Sequence, residues 1–87
     1  MVMLARTDVA TSVLQLLRRF APGLPALDEE AASASLPEAG LSSMAAVKLM
    51  LALEAEFDIA IPDADLTPEN FASLESISAL VTRLKGD

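Results

Sequence analysis

The stretch from Ala39 to Phe57 constrains the fold more than any other part of this 87-residue chain. Gly40 and the adjacent serines Ser42 and Ser43 come just before a long, unbroken apolar helix pattern. Serine is a preferred helix N-cap, so the pattern predicts a helix that begins at the serines and runs to Phe57. The first N–H groups of such a helix lack intrahelical acceptors, and together with the helix dipole they favour a phosphate on a serine there.

The string GLSSMAAVKLMLALEAEFDIAIPDADLTPENF resembles the acyl carrier protein family. In that family a Gly-x-Asp-Ser-Leu motif opens the second helix, and its serine carries 4′-phosphopantetheine. The positions that fit are Gly40, Leu41, Ser43, Val47, Leu49, Ala52, Leu53, Glu54, Glu56 and Phe57, and the match extends through Ile59, Ile61 and Pro62 to Leu66–Phe71. The resemblance implies that Ser43 carries the covalent cofactor, with Ser42 as the cap of the helix.

The chain departs from the family at three positions near that serine. Ser42 stands where the family usually has aspartate, Met44 where it has leucine, and Lys48 where many members have glutamate. A serine followed by methionine is also seen in carriers of amino acids, such as D-alanyl carriers. The resemblance therefore favours an aminoacyl carrier loaded by a separate ligase, with a fatty-acyl or polyketide carrier as the alternative.

Two interpretations fit the wide apolar arc of this helix. Ala46, Leu49, Met50, Leu53 and Phe57 form the expected core face, and Met44, Val47 and Leu51 form a second apolar row beside it. The second row is either buried, in a central helix contacted by all the others, or exposed to partners. On the second interpretation the partner-docking residues are Ser42, Met44, Val47, Lys48 and Leu51.

Helical periodicity continues on both sides of this helix. Val9, Val13, Leu16, Leu17 and Phe20 repeat on one face and predict a first helix over about 8–20, capped by Thr7 or Asp8, after a loose Met1–Arg6. Residues 21–39 then form a long first loop, in which Leu24, Leu27 and Leu36 are the expected anchors and 28–34 an optional helical turn.

The last third of the chain predicts two further helices. Thr67 and Pro68 suggest a short helix over 67–71, and Ser73 caps a final helix over about 74–84 that Gly86 ends. The sequence thus predicts an all-α fold, a single domain over 1–87 with three main helices, one short helix and a long first loop.

Composition limits the function. The net charge of −7 argues against nucleic acid and anionic membranes and for basic protein partners. Acidic residues 54, 56, 58, 63, 65, 69 and 75 form either a solvated surface or a docking face. The chain has neither cysteine nor histidine, so we expect no catalysis of its own, and any thioester must use a thiol from a prosthetic group.

Other site classes fit poorly. Residues 63–69 space oxygens like a calcium loop, but Pro68 stands where glycine is required, so we expect no metal. No apolar run approaches the roughly 18 residues of a membrane span, and we expect a cytoplasmic monomer. The expected partners are a phosphopantetheinyl transferase, an acyl- or aminoacyl-activating ligase and a downstream acyl-accepting enzyme. An unmodified helical adaptor is the alternative from another class.

Overall fold

The computed structural model describes residues 3–86, with side chains from Val9 onward. Its helices are α1 (Met3–Phe20), α2 (Asp28–Ser33), α3 (Ser43–Phe57) and α4 (Leu74–Lys85), with a 3-10 turn at Asp63–Asp65 and no strand within the described range. The predicted all-α fold, with three main helices, one short helix and a long first loop, is confirmed.

The first helix is longer than expected. α1 begins at Met3, whereas the sequence suggested a start near Asp8 after a loose lead-in. Met-Leu-Ala-Arg at residues 3–6 are all strong helix formers, so the helix continues through them. Met1 and Val2 lie outside the described residues.

The short helix is α2, and the expected helix over 67–71 is wrong. At 67–71 the backbone makes a single turn, in which Phe71 N donates to Thr67 O at 3.1 Å and Asn70 N donates to Thr67 Oγ1 at 3.2 Å. Asn70 Nδ2 also donates to Asp65 O at 2.8 Å. These hydrogen bonds pair polar groups of the turn with nearby residues, without a continuing helix. Only Ala72 separates the turn from Ser73, whose hydroxyl caps α4 by accepting from Ser76 N.

The core lies where α1 packs against α3 and α4. Its largest completely buried side chains are Val13, Leu17, Leu36, Leu49, Leu53, Ile77, Leu80 and Val81. Each large apolar side chain removed from water in this way contributes about 1.5–3 kcal/mol. α2 packs chiefly on α4, so it does not cover the side of α3 that faces away from α1 and α4.

Some expectations about burial need correction. Phe57, expected on the core face of α3 together with Ala46 and Met50, is like them only partly buried. It is the last residue of α3, and Lys85 Nζ lies 6.0 Å from its ring centroid. Leu27 is 64% exposed and anchors nothing, whereas Leu36 is completely buried and Leu24 partly.

Candidate functional site

The N-terminus of α3 is capped by Ser42. Its backbone is extended (φ −75°, ψ 170°), and its Oγ accepts a hydrogen bond from Ala45 N at 3.1 Å. Ser42 O accepts the first intrahelical bond, from Ala46 N, at 2.8 Å. The cap predicted from the sequence is therefore present, and it uses the hydroxyl of Ser42 alone.

Ser43 is the first residue of α3 and is exposed. Because Ser42 supplies the cap, the hydroxyl of Ser43 is not needed to begin the helix. The backbone N–H groups of Ser43 and Met44 come before the first intrahelical donor, Ala46 N, so they have no acceptor within the helix. The hydroxyl thus stands at the positive end of a 15-residue helix, where an attached anion is favoured.

The loop before the serines is fixed against the end of α1. Gly23 N donates to Ala39 O at 2.7 Å, and a Cβ on Gly23 would lie only 2.9 Å from that oxygen. Gly40 adopts φ +103°, a conformation that favours glycine, and lies against Pro22. We call this contact between residues 22–23 and 39–40 the loop lock. It sets the direction from which the chain enters α3.

A second tether comes from Arg18, in the last turn of α1. Its guanidinium donates to Pro25 O at 2.9 Å, to Ala26 O at 3.1 Å and to Asp28 Oδ1 at 2.9 Å. No local pattern signals this contact, because its partners lie seven to ten residues away in an irregular segment.

A cleft of about 380 Å³ opens beside Ser43. It separates the start of α3 from residues 66–71, and its apolar lining includes Pro37, Leu41, Val47, Pro68 and Phe71. No local sequence pattern predicts this cleft, because its walls come from three separate segments. Ser43 therefore faces both solvent and an apolar groove.

The second apolar row of α3 is exposed. Met44 is 71%, Leu51 56% and Val47 41% accessible, and we call these three residues the α3 stripe. The interpretation that α3 is contacted on all sides, with Val47 and Leu51 buried, is therefore wrong. Ser42 and Lys48 are exposed beside the stripe.

The described residues hold few other features with chemical potential. No group of three or more Asp and Glu side chains among them is arranged to hold a metal ion, and the chain has no histidine or cysteine. None of the described helices is both long enough and apolar enough to cross a membrane. The start of α3 is the part of the described structure where an accessible hydroxyl, free N–H groups and a cleft coincide.

Comparison with known proteins identifies similar chains. Residues 12–84 match the family model described as "Phosphopantetheine attachment site". The chain is 39% identical over 75 residues to Aminoacyl carrier protein 1 of Bradyrhizobium diazoefficiens, covering 86% of this chain and 83% of that protein. It is 40% identical over 70 residues to an aminoacyl carrier protein of Agrobacterium fabrum, covering 80% and 84% respectively.

A solved structure has the same fold. It is the crystal structure of an engineered Bradyrhizobium japonicum glycine:[carrier protein] ligase complexed with a carrier protein from Agrobacterium tumefaciens and ATP. The matched chain superposes with a TM-score of 0.71 at 38% identity, covering 86% of this chain and 97% of that one.

Proposed function

The chain belongs to the phosphopantetheine attachment family, and from that premise we propose that it is an aminoacyl carrier protein with 4′-phosphopantetheine joined to Ser43. The cofactor supplies a terminal thiol, on which an amino acid is held as a thioester. The assignment to Ser43 rests on the different roles of the two serines at the start of α3. Ser42 caps the helix, and the Ser43 hydroxyl is accessible.

The residues around Ser43 can accommodate 4′-phosphopantetheine. The phosphodiester carries a negative charge, and the N–H groups of Ser43 and Met44 together with the α3 dipole stabilise an anion there. The apolar cleft beside Ser43 offers a surface for the uncharged part of the phosphopantetheine chain, which we call the arm. Lys48 lies about 7.5 Å further along the helix, at 1.5 Å per residue, and adds a positive charge on the same helix.

The chain acts in this scheme as a substrate and a shuttle. The Ser43 oxygen would form the new bond to the phosphorus of the phosphopantetheine part of coenzyme A, the phosphoanhydride bond would break, and adenosine 3′,5′-bisphosphate would leave. The serine proton would go to a base that we assign to a separate transferase, since this chain has no histidine, the side chain best suited to that role near neutral pH. Asp65 and Arg83 pair with each other at 3.5 Å, and Glu54 accepts from Ile61 N at 2.7 Å, so these side chains have structural roles. We propose no catalytic residue within the carrier.

The proposed loading partner is an amino acid ligase. Two relatives bear the name aminoacyl carrier protein, and the matched structure contains a glycine:[carrier protein] ligase. A downstream enzyme that accepts the amino acid from the thioester completes the cycle.

We further propose that partners dock on the exposed side of α3. Five residues form this docking face: Ser42, Met44, Val47, Lys48 and Leu51. Contiguous exposed apolar side chains mark interaction sites on soluble proteins, and any enzyme that reaches the arm must approach Ser43. The α3 stripe supplies the apolar centre of this face.

Mass spectrometry of the protein co-expressed with a broad-specificity phosphopantetheinyl transferase tests the proposal. The wild-type protein should gain one phosphopantetheine group, and Ser43→Ala should gain none while it stays folded, because the cap is on Ser42. Ser42→Ala is the matched control: it should lose about 0.5–2 kcal/mol of stability with the cap and still be modified. Modification of Ser43→Ala, or its loss in Ser42→Ala alone, would show that the assigned serine is wrong.

The proteins from this experiment also distinguish the aminoacyl carrier from an unmodified adaptor and from a fatty-acyl carrier. A wild-type protein that gains no mass with an active transferase would support the unmodified adaptor. The modified carrier is then offered to amino acid ligases, beginning with the glycine:[carrier protein] ligase of the matched complex, and to a fatty-acyl ligase. Loading by the fatty-acyl ligase alone would contradict the aminoacyl assignment and leave the attachment to Ser43 intact.

A further inference from the structure

Lys48 is an isolated positive charge. Eleven of the thirteen Asp and Glu residues lie between Phe20 and Thr82, and Lys48 is the only Lys or Arg in that range. The residues three and four positions away, which are those able to pair with it on a helix, are Met44, Ala45, Leu51 and Ala52, and none is acidic. Neither of the two salt bridges described between residues 9 and 86 includes Lys48.

This charge lies within an apolar patch. Met44 and Leu51 are about one helical turn before and after Lys48, and both are more than half exposed. The patch is about 10 Å long from Met44 to Leu51 at 1.5 Å per residue. The methylene groups of a lysine can lie along such a surface while the ammonium remains at its edge. The docking face therefore offers apolar contact and a single positive charge.

We infer that the enzyme that loads this carrier presents an apolar surface with one carboxylate opposite Lys48. The inference rests on the proposed function and names the chemistry of its partner surface. Between Phe20 and Thr82 a carboxylate on the partner meets eleven acidic residues and one cation, so within this part of the carrier Lys48 is the residue that attracts it. One such pair therefore fixes the orientation of the complex and disfavours enzymes with a cation at the same place.

Loading kinetics of four carriers test this inference. The four proteins are wild type, Lys48→Gln, Lys48→Glu and Lys85→Glu. Each is first converted completely to the phosphopantetheine form, which mass spectrometry verifies. The ligase that loads wild type is then used with all four. Lys85 is the matched control, since its ammonium lies 6.0 Å from the ring of Phe57, at the end of α3 remote from Ser43.

Lys48→Glu should lower kcat/KM for loading by about tenfold or more, mainly through a higher KM, because it places two like charges together. Lys48→Gln should fall between wild type and Lys48→Glu, and Lys85→Glu should load like wild type. Raising the salt concentration should reduce the difference between wild type and Lys48→Glu, because salt screens exposed charges.

Two results would overturn the inference. One is loading of Lys48→Glu at or above the wild-type rate, and the other is an equal loss in Lys85→Glu, which would indicate a general charge effect. Both can occur with full modification of Ser43, so they leave the proposed function standing. A failure of the proposed function appears earlier, as a wild-type protein without phosphopantetheine, and the inference then falls with it.

Discussion

The two sides of α3 are alike in sequence and opposite in environment. Leu49 and Leu53 are completely buried under α1 and α4, whereas Met44 and Leu51 on the other side are 71% and 56% exposed. Both sides are apolar over the same 15 residues. The difference shows that the apolar character of a helix face does not decide whether the face is buried in the core or exposed to solvent. The neighbouring helices decide it, and here α2 packs on α4 instead of α3.

The two sides of α3 should contribute differently to stability and to the proposed function. A side chain of the buried side contributes to folding, and a side chain of the α3 stripe costs solubility unless a partner covers it. We therefore expect substitutions on the buried side to lower the free energy of unfolding, and substitutions in the α3 stripe to impair loading with little effect on stability.

Leu53→Ala should cause the largest loss. Truncating a completely buried leucine leaves a cavity and typically costs about 2–5 kcal/mol. Urea denaturation followed by far-UV circular dichroism measures it, because the chain has no tryptophan or tyrosine to report by fluorescence. Leu51→Ala is the matched control on the exposed side and should change stability by less than about 0.5 kcal/mol. Equal losses in the two variants would contradict the assignment of the two sides.

Gly23→Ala should come next, because it disrupts the loop lock. Its Cβ would lie 2.9 Å from Ala39 O and 3.2 Å from Ala39 Cα, and the backbone must move to accept it. Crowding of this kind costs about 1–3 kcal/mol. We expect slower phosphopantetheinylation as well, measured as kcat/KM for a transferase, since the lock directs the chain into α3.

Gly86→Ala is the control for the loop lock. Unlike Gly23, Gly86 has a positive φ, of 82°, but a Cβ there meets nothing within 4 Å, and the residue caps the far end of α4. It should lose some stability through backbone strain and be modified at the wild-type rate. A Gly23→Ala protein modified as fast as Gly86→Ala would mean that the lock does not influence Ser43.

Phe57→Ala should cost about 1–2 kcal/mol, less than the roughly 3–5 kcal/mol typical of a completely buried phenylalanine. The reason is its partial exposure at the end of α3, where Lys85 lies over the ring. Part of the loss should come from the cation–π contact, worth about 0.5–1 kcal/mol at an exposed site. Lys85→Met in the Phe57→Ala background should then have no further effect, which a double-mutant cycle in urea would measure.

The sequence predicted the features of this fold that depend on local chemistry. The bounds of α3 and the caps at Ser42 and Ser73 follow from a serine at the start of an apolar pattern, and each cap bond spans only three residues. Gly86 ends α4 in the left-handed conformation that glycine adopts readily. Such signals need no knowledge of the rest of the chain.

The features that were missed depend on contacts between distant segments. Arg18 bonds to residues up to ten positions away, and the cleft beside Ser43 joins residues from three segments. The turn at 67–71 has the cap of a helix, but Asn70 bonds back to Asp65 O and α4 follows closely. Exposure of the α3 stripe likewise depends on where α2 packs, and no residue within α3 encodes that.

Polar substitution of the α3 stripe should have the smallest effect on stability and a large effect on function. Met44→Gln and Leu51→Gln keep the side chain long and the helix propensity high, so the free energy of unfolding should change by less than about 0.5 kcal/mol. Each should nevertheless lose apolar contact with the ligase and raise the KM for loading by about tenfold, as expected of a residue near the centre of an interface.

Ala55→Gln is the matched control for these substitutions. Ala55 is exposed and follows Leu51 by about one turn, so it lies on the same side of α3 but some 18 Å from Ser43 along the helix. It should be loaded like wild type. If Met44→Gln and Leu51→Gln are loaded normally while the helix remains intact, the ligase binds elsewhere. The α3 stripe would then have to bind a different partner, because the core does not require apolar side chains on this exposed side of the helix.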